Sequence, residues 1–526
     1  MGLSTRLPKR GTSSYFSSPE TEELPRFVAY LLRSAMTEQR THMATAGSGP
    51  GPAGASRPQR HPGLVLAIVL ICQTMFILDT NVVNIALPDI QHDLGFSAAG
   101  LSWVLNAYML AFGGLLLLGG RAGDIIGQRR ALIGGVVIFT VASLAGGLAT
   151  SAEMLLAARA GQGIGAAIAA PTVLAFITVG FPDPARRARA LGAYAAVSGS
   201  GAAIGLIAGG MLTDWISWRW VLFINVPIGI VLLILAPLFM TETDRHPGRF
   251  DLAGSLTSTL GMTALVYGFI RAAEKDFGDG VTLGALSAAA VLLALFVAVE
   301  SRARQPIVPL RLFADRNRAG GYVVLLFVLA AGNGMFFFLT QFLQRVRGYS
   351  PLQAGFAFVP LALVILVSSG VAARLLPRLG AKTLIAVGAA AITVALLWMT
   401  RLTPQADYAT ALLGPMMIAG LGMGIVLVGA TTVLSSGIRA EDAGAASGLL
   451  NVMQQIGGAL GLAILVTVFG AATRASRGPA HQVLTEGVTA AFTLAAAFTA
   501  CTILLALTMK NRQAPAESPA AEELTR

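Results

Sequence analysis

The sequence predicts an all-α polytopic membrane protein, and three observations lead there. The 526-residue chain is 55% hydrophobic and only 12% charged, with mean hydropathy +0.71, far from an average soluble domain. Most of its apolar stretches reach the roughly 20 residues that a helix needs to cross about 30 Å of hydrocarbon. Their pattern never becomes the period-two alternation of an outer-membrane barrel, so the spans are helices.

In chain order, apolar runs at roughly 64–87, 101–119, 131–150, 153–180, 190–213 and 219–240 predict six helices. Runs at roughly 251–272 and 281–300 predict two more. Those at 319–344, 352–373, 381–401, 408–434, 443–470 and 487–509 predict a last six, about fourteen in all. An even number puts both ends on one side. Connections after the even-numbered helices carry Arg121, Arg129 and Arg130; Arg186, Arg187 and Arg189; Arg245 and Arg249; Arg302, Arg304, Arg311, Arg316 and Arg318; Arg374, Arg378 and Lys382; and Arg439. The opposite connections carry fewer: Arg219, Arg271, Lys275, Arg345, Arg347, Arg401, Arg474 and Arg477. By the positive-inside rule both termini are expected in the cytoplasm.

Residues 1–61 are polar, with Gly-Ser-Gly-Pro-Gly-Pro-Ala-Gly at 47–54, and read as a disordered cytoplasmic tail; 510–526 form a second tail. No apolar core with a small-residue cleavage site starts near Met1, so the first span is expected to direct insertion, with Met36 and Met43 as candidate translation starts besides Met1. An internal repeat at an offset of 253 residues pairs Arg121 with Arg374, Gly127 with Gly380, Arg129 with Lys382, Arg186 with Arg439 and Gly205 with Gly458. Such a repeat indicates two six-helix halves, 62–240 and 306–509, about an axis along the membrane normal, with a cavity between them. Residues 241–305 are then two inserted helices. Asp124 aligns with Pro377, so only the first half keeps that acid.

Several function classes drop out. The net charge of +11 suggests nucleic acid, but the basic residues form no stripe or binding motif. Cys72 and Cys501 lie in the first and last spans, which argues against a disulfide or a thiolate metal site. His42, His61, His92, His246 and His481 fall outside the predicted spans in no ligand spacing, so no metal is expected. Gly161-Gln-Gly-Ile-Gly165 and Gly420-Leu-Gly-Met-Gly424 follow no strand, and no Gly-Lys-Ser/Thr phosphate loop is present. An enzyme, a nucleotide cofactor and direct ATP drive are therefore not expected.

Asp79 is the one carboxylate deep inside an apolar stretch. A charge in hydrocarbon costs several kcal/mol, so Asp79 either faces a cavity and takes part in ion or proton movement or only pins two helices together. At about 1.5 Å per residue, Asp79 lies roughly 22 Å from the cytoplasmic start of helix one, and Arg159 about 9 Å below the outer start of helix four. In a layer of about 30 Å those depths coincide. Asp79 and Arg159 are thus expected to share one polar region, with Gln162 and Asn84 as hydrogen-bond neighbours; the alternative is an Arg159 that snorkels to the outer interface.

The surrounding motifs carry a resemblance. Leu78-Asp79-Thr80-Asn81-Val82-Val83-Asn84-Ile85-Ala86-Leu87-Pro88 resembles the first-helix motif of the major facilitator superfamily, in its 14-span drug:proton antiporter branch. Gly120-Arg-Ala-Gly-Asp124-Ile-Ile-Gly127-Gln-Arg129-Arg130 resembles the superfamily's loop motif between helices two and three. The resemblance implies that Asp124 and its arginines steady the outward-facing state; by itself the segment is a tight glycine turn with one acid among positive-inside arginines. Leu155-Leu-Ala-Ala-Arg159-Ala-Gly161-Gln162 is similar to the fourth-helix motif, whose arginine is implicated in proton transfer. Gly201-Ala-Ala-Ile-Gly205-Leu206-Ile-Ala-Gly209-Gly210 is similar to the fifth-helix antiporter motif, with Leu206 where proline is expected, and its glycines share a packing face. Trp218-Arg-Trp-Val-Leu-Phe-Ile-Asn225-Val-Pro227 resembles the start of helix six, where the tryptophans suit an interfacial belt. Asn81 stands where the branch usually has threonine.

The resemblance implies a proton-driven exporter of amphipathic, often cationic drugs or antibiotics in a bacterial cytoplasmic membrane, working by alternating access as a monomer. Asp79 and Arg159 would carry coupling, and Phe76, Asn81, Asn84 and Gln162 would border the substrate cavity. The proton gradient would be the energy source, with the substrate, protons and lipid as the only partners. The alternatives are a dedicated exporter of one endogenous metabolite and, in a different class, a membrane sensor, for which both tails are too short and polar.

Overall fold

The computed structural model describes residues 62–181, 183–242, 251–303, 308, 310–438 and 443–509. The expected tails, the alternative starts, and Arg245, Arg249, Arg304 and Arg439 lie outside them. Among the described residues there are helices and short connections and no strand. In chain order the helices are α1 (Pro62–Leu94), α2 (Trp103–Ile126), α3 (Gln128–Gly147), α4 (Ala152–Gly180), α5 (Pro184–Trp215), α6 (Asn225–Phe239), α7 (Leu252–Glu274), α8 (Gly280–Arg302), α9 (Arg316–Gln341), α10 (Pro351–Met399), α11 (Gly414–Ser435), α12 (Ala443–Ala475) and α13 (Ala480–Thr508). Single turns at Trp220–Phe223, Phe342–Val346 and Tyr408–Leu413 extend α6, α9 and α11. All thirteen are long and apolar enough to cross a membrane.

Helix ends follow local chemistry. Asp183 caps α5 through the backbone N–H groups of Ala185 and Arg186 at 3.3 Å, with Pro184 in the first turn. Ser350 and Gln353 form a capping box at the start of α10. Two predicted spans, 352–373 and 381–401, run together in α10, whose 49 residues would reach about 73 Å if straight. The chain turns inside it at Gly380, φ 75° and ψ 157°. Its repeat partner Gly127, φ 104° and ψ 140°, separates α2 from α3. Both glycines take positive φ, which side chains resist, at the same joint of the repeat. The helices also outrun the apolar runs: His92 and His481, expected outside, lie near the ends of α1 and α13.

Glycines bring the helices close. Gly201, Gly205 and Gly209 of α5 lie against Ile77, Asn81 and Val82 of α1, whereas Gly210 faces Pro351 and Leu352 of α10. A Cβ on Gly355 of α10 would stand 2.5 Å from the Leu206 carbonyl, so Leu206 is a contact with α10. Next to these contacts, Gln344 Nε2 donates to the Ile85 carbonyl at 2.8 Å, Arg345 Nη2 to the Pro88 carbonyl at 3.1 Å, and Ser350 Oγ to Asp214 Oδ2 at 3.2 Å.

Helix α7 touches both groups of helices. Its Glu274 binds Ser97 Oγ before α2, while Thr467 Oγ1 of α12 donates to the Phe269 carbonyl at 2.7 Å and Arg474 binds the Ala272 and Ala273 carbonyls. Helix α8 packs on α7 and leaves Leu283, Val291, Leu295 and Val297 exposed, as a lipid-facing helix would. Cys72 is buried in α1 and Cys501 exposed on α13, both as free thiols.

Candidate functional site

At the depth shared by Asp79 and Arg159, α1, α2, α3, α4 and α6 converge on one buried cluster. The Asp79 carboxylate is fully enclosed. Arg159 Nη1 donates to Asp79 Oδ2 at 2.6 Å, and Gln162 Nε2 and Asn225 Nδ2 donate to Asp79 Oδ1 at 2.7 and 2.8 Å. The guanidinium is held from three other directions. Its Nε donates to the Val104 carbonyl at 2.9 Å, Nη1 to Gln162 Oε1 at 2.8 Å, and Cζ lies 4.7 Å from the centre of the Tyr108 ring. Gln162 also donates to Ser143 Oγ at 2.8 Å, and that hydroxyl donates to the Phe139 carbonyl at 2.7 Å.

Helical periodicity explains how α4 supplies two of these groups. Arg159 and Gln162 are one turn apart on a single face, and Gly163 beside them admits α2: a Cβ there would stand 2.5 Å from the Tyr108 carbonyl. The resulting ion pair is saturated by hydrogen bonds, the condition under which a charge pair survives away from water. Both carboxylate oxygens thus face N–H donors, one cationic and two neutral, and the set holds the ionised form of Asp79.

Other expected neighbours stand elsewhere. Asn81 Nδ2 donates to the Ile77 carbonyl of its own helix at 2.8 Å and packs against Gly205, and the carboxamide oxygen of Asn84 is buried without a partner. Neither touches the Asp79 carboxylate. Phe76 is buried edge-on to Phe139 with ring centres 5.2 Å apart, and so packs under the cluster. Ser143 and Tyr108 belong to no motif in the sequence, and Asn225 stands in the helix-six motif with nothing there that ties it to Asp79. Asn225 sits six residues beyond Arg219, about 9 Å into the layer and level with Arg159, so the depth argument reaches it too.

A profile of the Major Facilitator Superfamily matches residues 69–462. The chain belongs to this superfamily. It is 43% identical to the cephamycin export protein CmcT of Amycolatopsis lactamdurans, over 81% of this chain and 89% of that protein. It is 42% identical to the puromycin resistance protein pur8 of Streptomyces alboniger, over 85% and 90%. Among solved structures, a bacterial homologue of the human lysosomal transporter Spinster, inward-facing and unoccupied, aligns with TM-score 0.63 and 21% identity over 88% of this chain and 100% of that one. This last likeness concerns the fold alone.

In this superfamily member the loop motif is clasped from an unforeseen side. Asp124 Oδ1 accepts from Gln128 Nε2 at 3.1 Å, so the acid stays within its own turn. Glu242, just after α6, accepts the Arg129 backbone N–H at 3.0 Å at the start of α3, with Arg129 and Arg130 Nε at 3.9 and 3.8 Å from its other oxygen. Arg129 Nη1 reaches the Met240 carbonyl at 3.2 Å. A Cβ on Gly127 would collide with this carboxylate, which gives that glycine a second reason besides its φ. Gly120 lies against Pro171 of α4. Of the two tryptophans expected at the interface, Trp220 is exposed and Trp218 turns inward. It is buried, its Nε1 donates to Asp93 Oδ2 at 2.8 Å, and Arg219 stacks on its ring while pairing with the same oxygen at 3.0 Å.

Proposed function

We propose that the chain exports amphipathic drugs or antibiotics across the cytoplasmic membrane in exchange for protons, by alternating access. The observation that carries this reading is the Asp79 cluster: a carboxylate in a membrane-spanning helix, enclosed by Arg159, Gln162 and Asn225. Relatives named for cephamycin export and puromycin resistance support the cargo class. A proton reaching Asp79 from outside cancels its charge and releases Arg159 to Gln162, Val104 and Tyr108. Loss of the proton to the cytoplasm restores the pair. The helix groups 62–240 and 306–509 rock about the cavity between these states, with 241–305 as the insertion. Counting the two arms of α10 separately gives fourteen spans and two cytoplasmic termini, and a monomer suffices for the cycle. Each proton brings about 2.3 kcal/mol per 100 mV and about 1.4 kcal/mol per pH unit.

The test is accumulation of a labelled drug in inside-out vesicles under an imposed proton gradient. The reading requires uptake that an uncoupler abolishes and ATP does not restore; gradient-independent uptake would overturn the coupling. A second reading, a dedicated exporter of one endogenous metabolite, is favoured by relatives each named for a single compound. Resistance of a deletion strain's parent to only one compound in a broad panel would select it.

A further inference from the structure

The seam between α2 and the helices α9 and α12 carries three amides that the chain leaves unused. Asn106 of α2 is fully buried, and neither its Nδ2 nor its Oδ1 has a partner. Asn333 of α9 and Gln455 of α12 are half-buried, and their amides make no hydrogen bond to any described residue. Glycine contacts bring Asn333 and Gln455 to α2, and helical spacing puts Asn106 on the same face. A Cβ on Gly458 of α12 would collide with Asn333 Nδ2 and stand 3.3 Å from Met109 Sδ, and one on Gly113 would stand 2.7 Å from Gln455 Cβ. Asn106, Met109 and Gly113 succeed one another at three- and four-residue spacing, one face of α2. The amides therefore follow one line of about two helical turns, roughly 10 Å.

Charge in the same layer is already committed. Both Asp79 oxygens are taken by Arg159, Gln162 and Asn225. Among the described residues of α9–α13 the one carboxylate inside a helix is Glu486, exposed and bonded to Ser476 and Gln482. A cationic cargo would thus have to displace Arg159 to find an anion. An unpaired buried amide is costly and points to a ligand that completes it.

We propose that this seam reads the cargo, and that it selects uncharged amphiphiles bearing amide, carbonyl or hydroxyl groups over permanent cations. The proposal rests on the export reading and names its substrate class. An amide both donates and accepts, so Asn106, Asn333 and Gln455 pair with such groups in either sense, and the flexible Met109 thioether adapts to the apolar remainder. A quaternary ammonium offers neither donor nor acceptor.

The test uses two dansyl probes that differ only at one end, an acetamide in one and a trimethylammonium in the other, titrated onto the purified full chain by fluorescence. The acetamide probe is expected to bind at least about tenfold more tightly, and Asn333→Leu and Gln455→Leu to weaken it about five- to tenfold each, with Asn333→Gln close to wild type. The trimethylammonium probe should respond to none of them. Equal or tighter binding of the cation, or acetamide binding unchanged in both leucine variants, overturns the proposal. If one leucine variant fails to fold, the other decides. Binding is read without a gradient, so a chain that shows the preference but moves neither probe in energised vesicles contradicts the export reading instead.

Discussion

In α4, Gly163 lies against the Tyr108 carbonyl of α2, where a Cβ would stand 2.5 Å away; in α11, Gly420 lies against the Leu361 carbonyl of α10 at 2.8 Å. Leu361 follows Tyr108 by the same 253-residue repeat. Gly420 stands 257 residues after Gly163, about one helical turn past the repeat offset, and counting back from it as Arg159 and Gln162 precede Gly163 arrives at Met416 and Ala419. All three counterparts are buried and apolar. One backbone contact thus recurs with a charged cluster in one copy and an oily one in the other. Packing alone needs no charge at this place.

The largest expected effect comes from making the first copy as apolar as the second. Arg159→Met leaves Asp79 buried without its cation and should cost about 3–5 kcal/mol in thermal or denaturant unfolding. Adding Asp79→Leu should recover most of that loss, because an apolar replacement of a whole buried pair is often neutral or better, while proton-driven export stays absent. A double variant as unstable as the single one would break the comparison. Next, Asn225→Leu removes a donor to the charged carboxylate and should cost about 1.5–3 kcal/mol, whereas a similar change on the Leu361 side has no counterpart to lose.

Gly163→Ala and Gly420→Ala sharpen the shared half of the comparison. Each drives a methyl into a backbone carbonyl and should cost about 1–3 kcal/mol, by similar amounts in unfolding experiments. The smallest contrast is at the repeated joint. Gly127→Ala and Gly380→Ala both force a side chain to positive φ at about 1–3 kcal/mol, and Gly127→Ala should be the worse because it also strikes Glu242. Equal losses would mean that the Glu242 clasp yields freely.

Much of this site was legible because depth in a membrane is nearly one-dimensional. Counting residues from each interface put Asp79 and Arg159 level, and one further helical turn reaches Gln162. Azimuth was harder. Asn81 is two residues from Asp79, about 200° round the helix, and Asn84 is about 140° round, so both point away from it. Ser143 carried no signal, since a serine bonded to its own helix is common in apolar spans. Glu242 belongs to a connection whose path the apolar periodicity does not describe, whereas the joint at Gly380 was legible, since the repeat pairs it with Gly127 between two predicted spans. The Asn225 contact was within reach of the depth count, but the adjacent tryptophans suggested only an interface.

Transport by Asp79→Asn tests the central claim most directly, with two readouts from the same inside-out vesicles. The asparagine keeps the shape and leaves Arg159 its other partners, so exchange of labelled for unlabelled substrate without a gradient should persist while gradient-driven accumulation disappears. Gradient-driven accumulation at the wild-type level in that variant would contradict the account, because the proton would then be carried elsewhere.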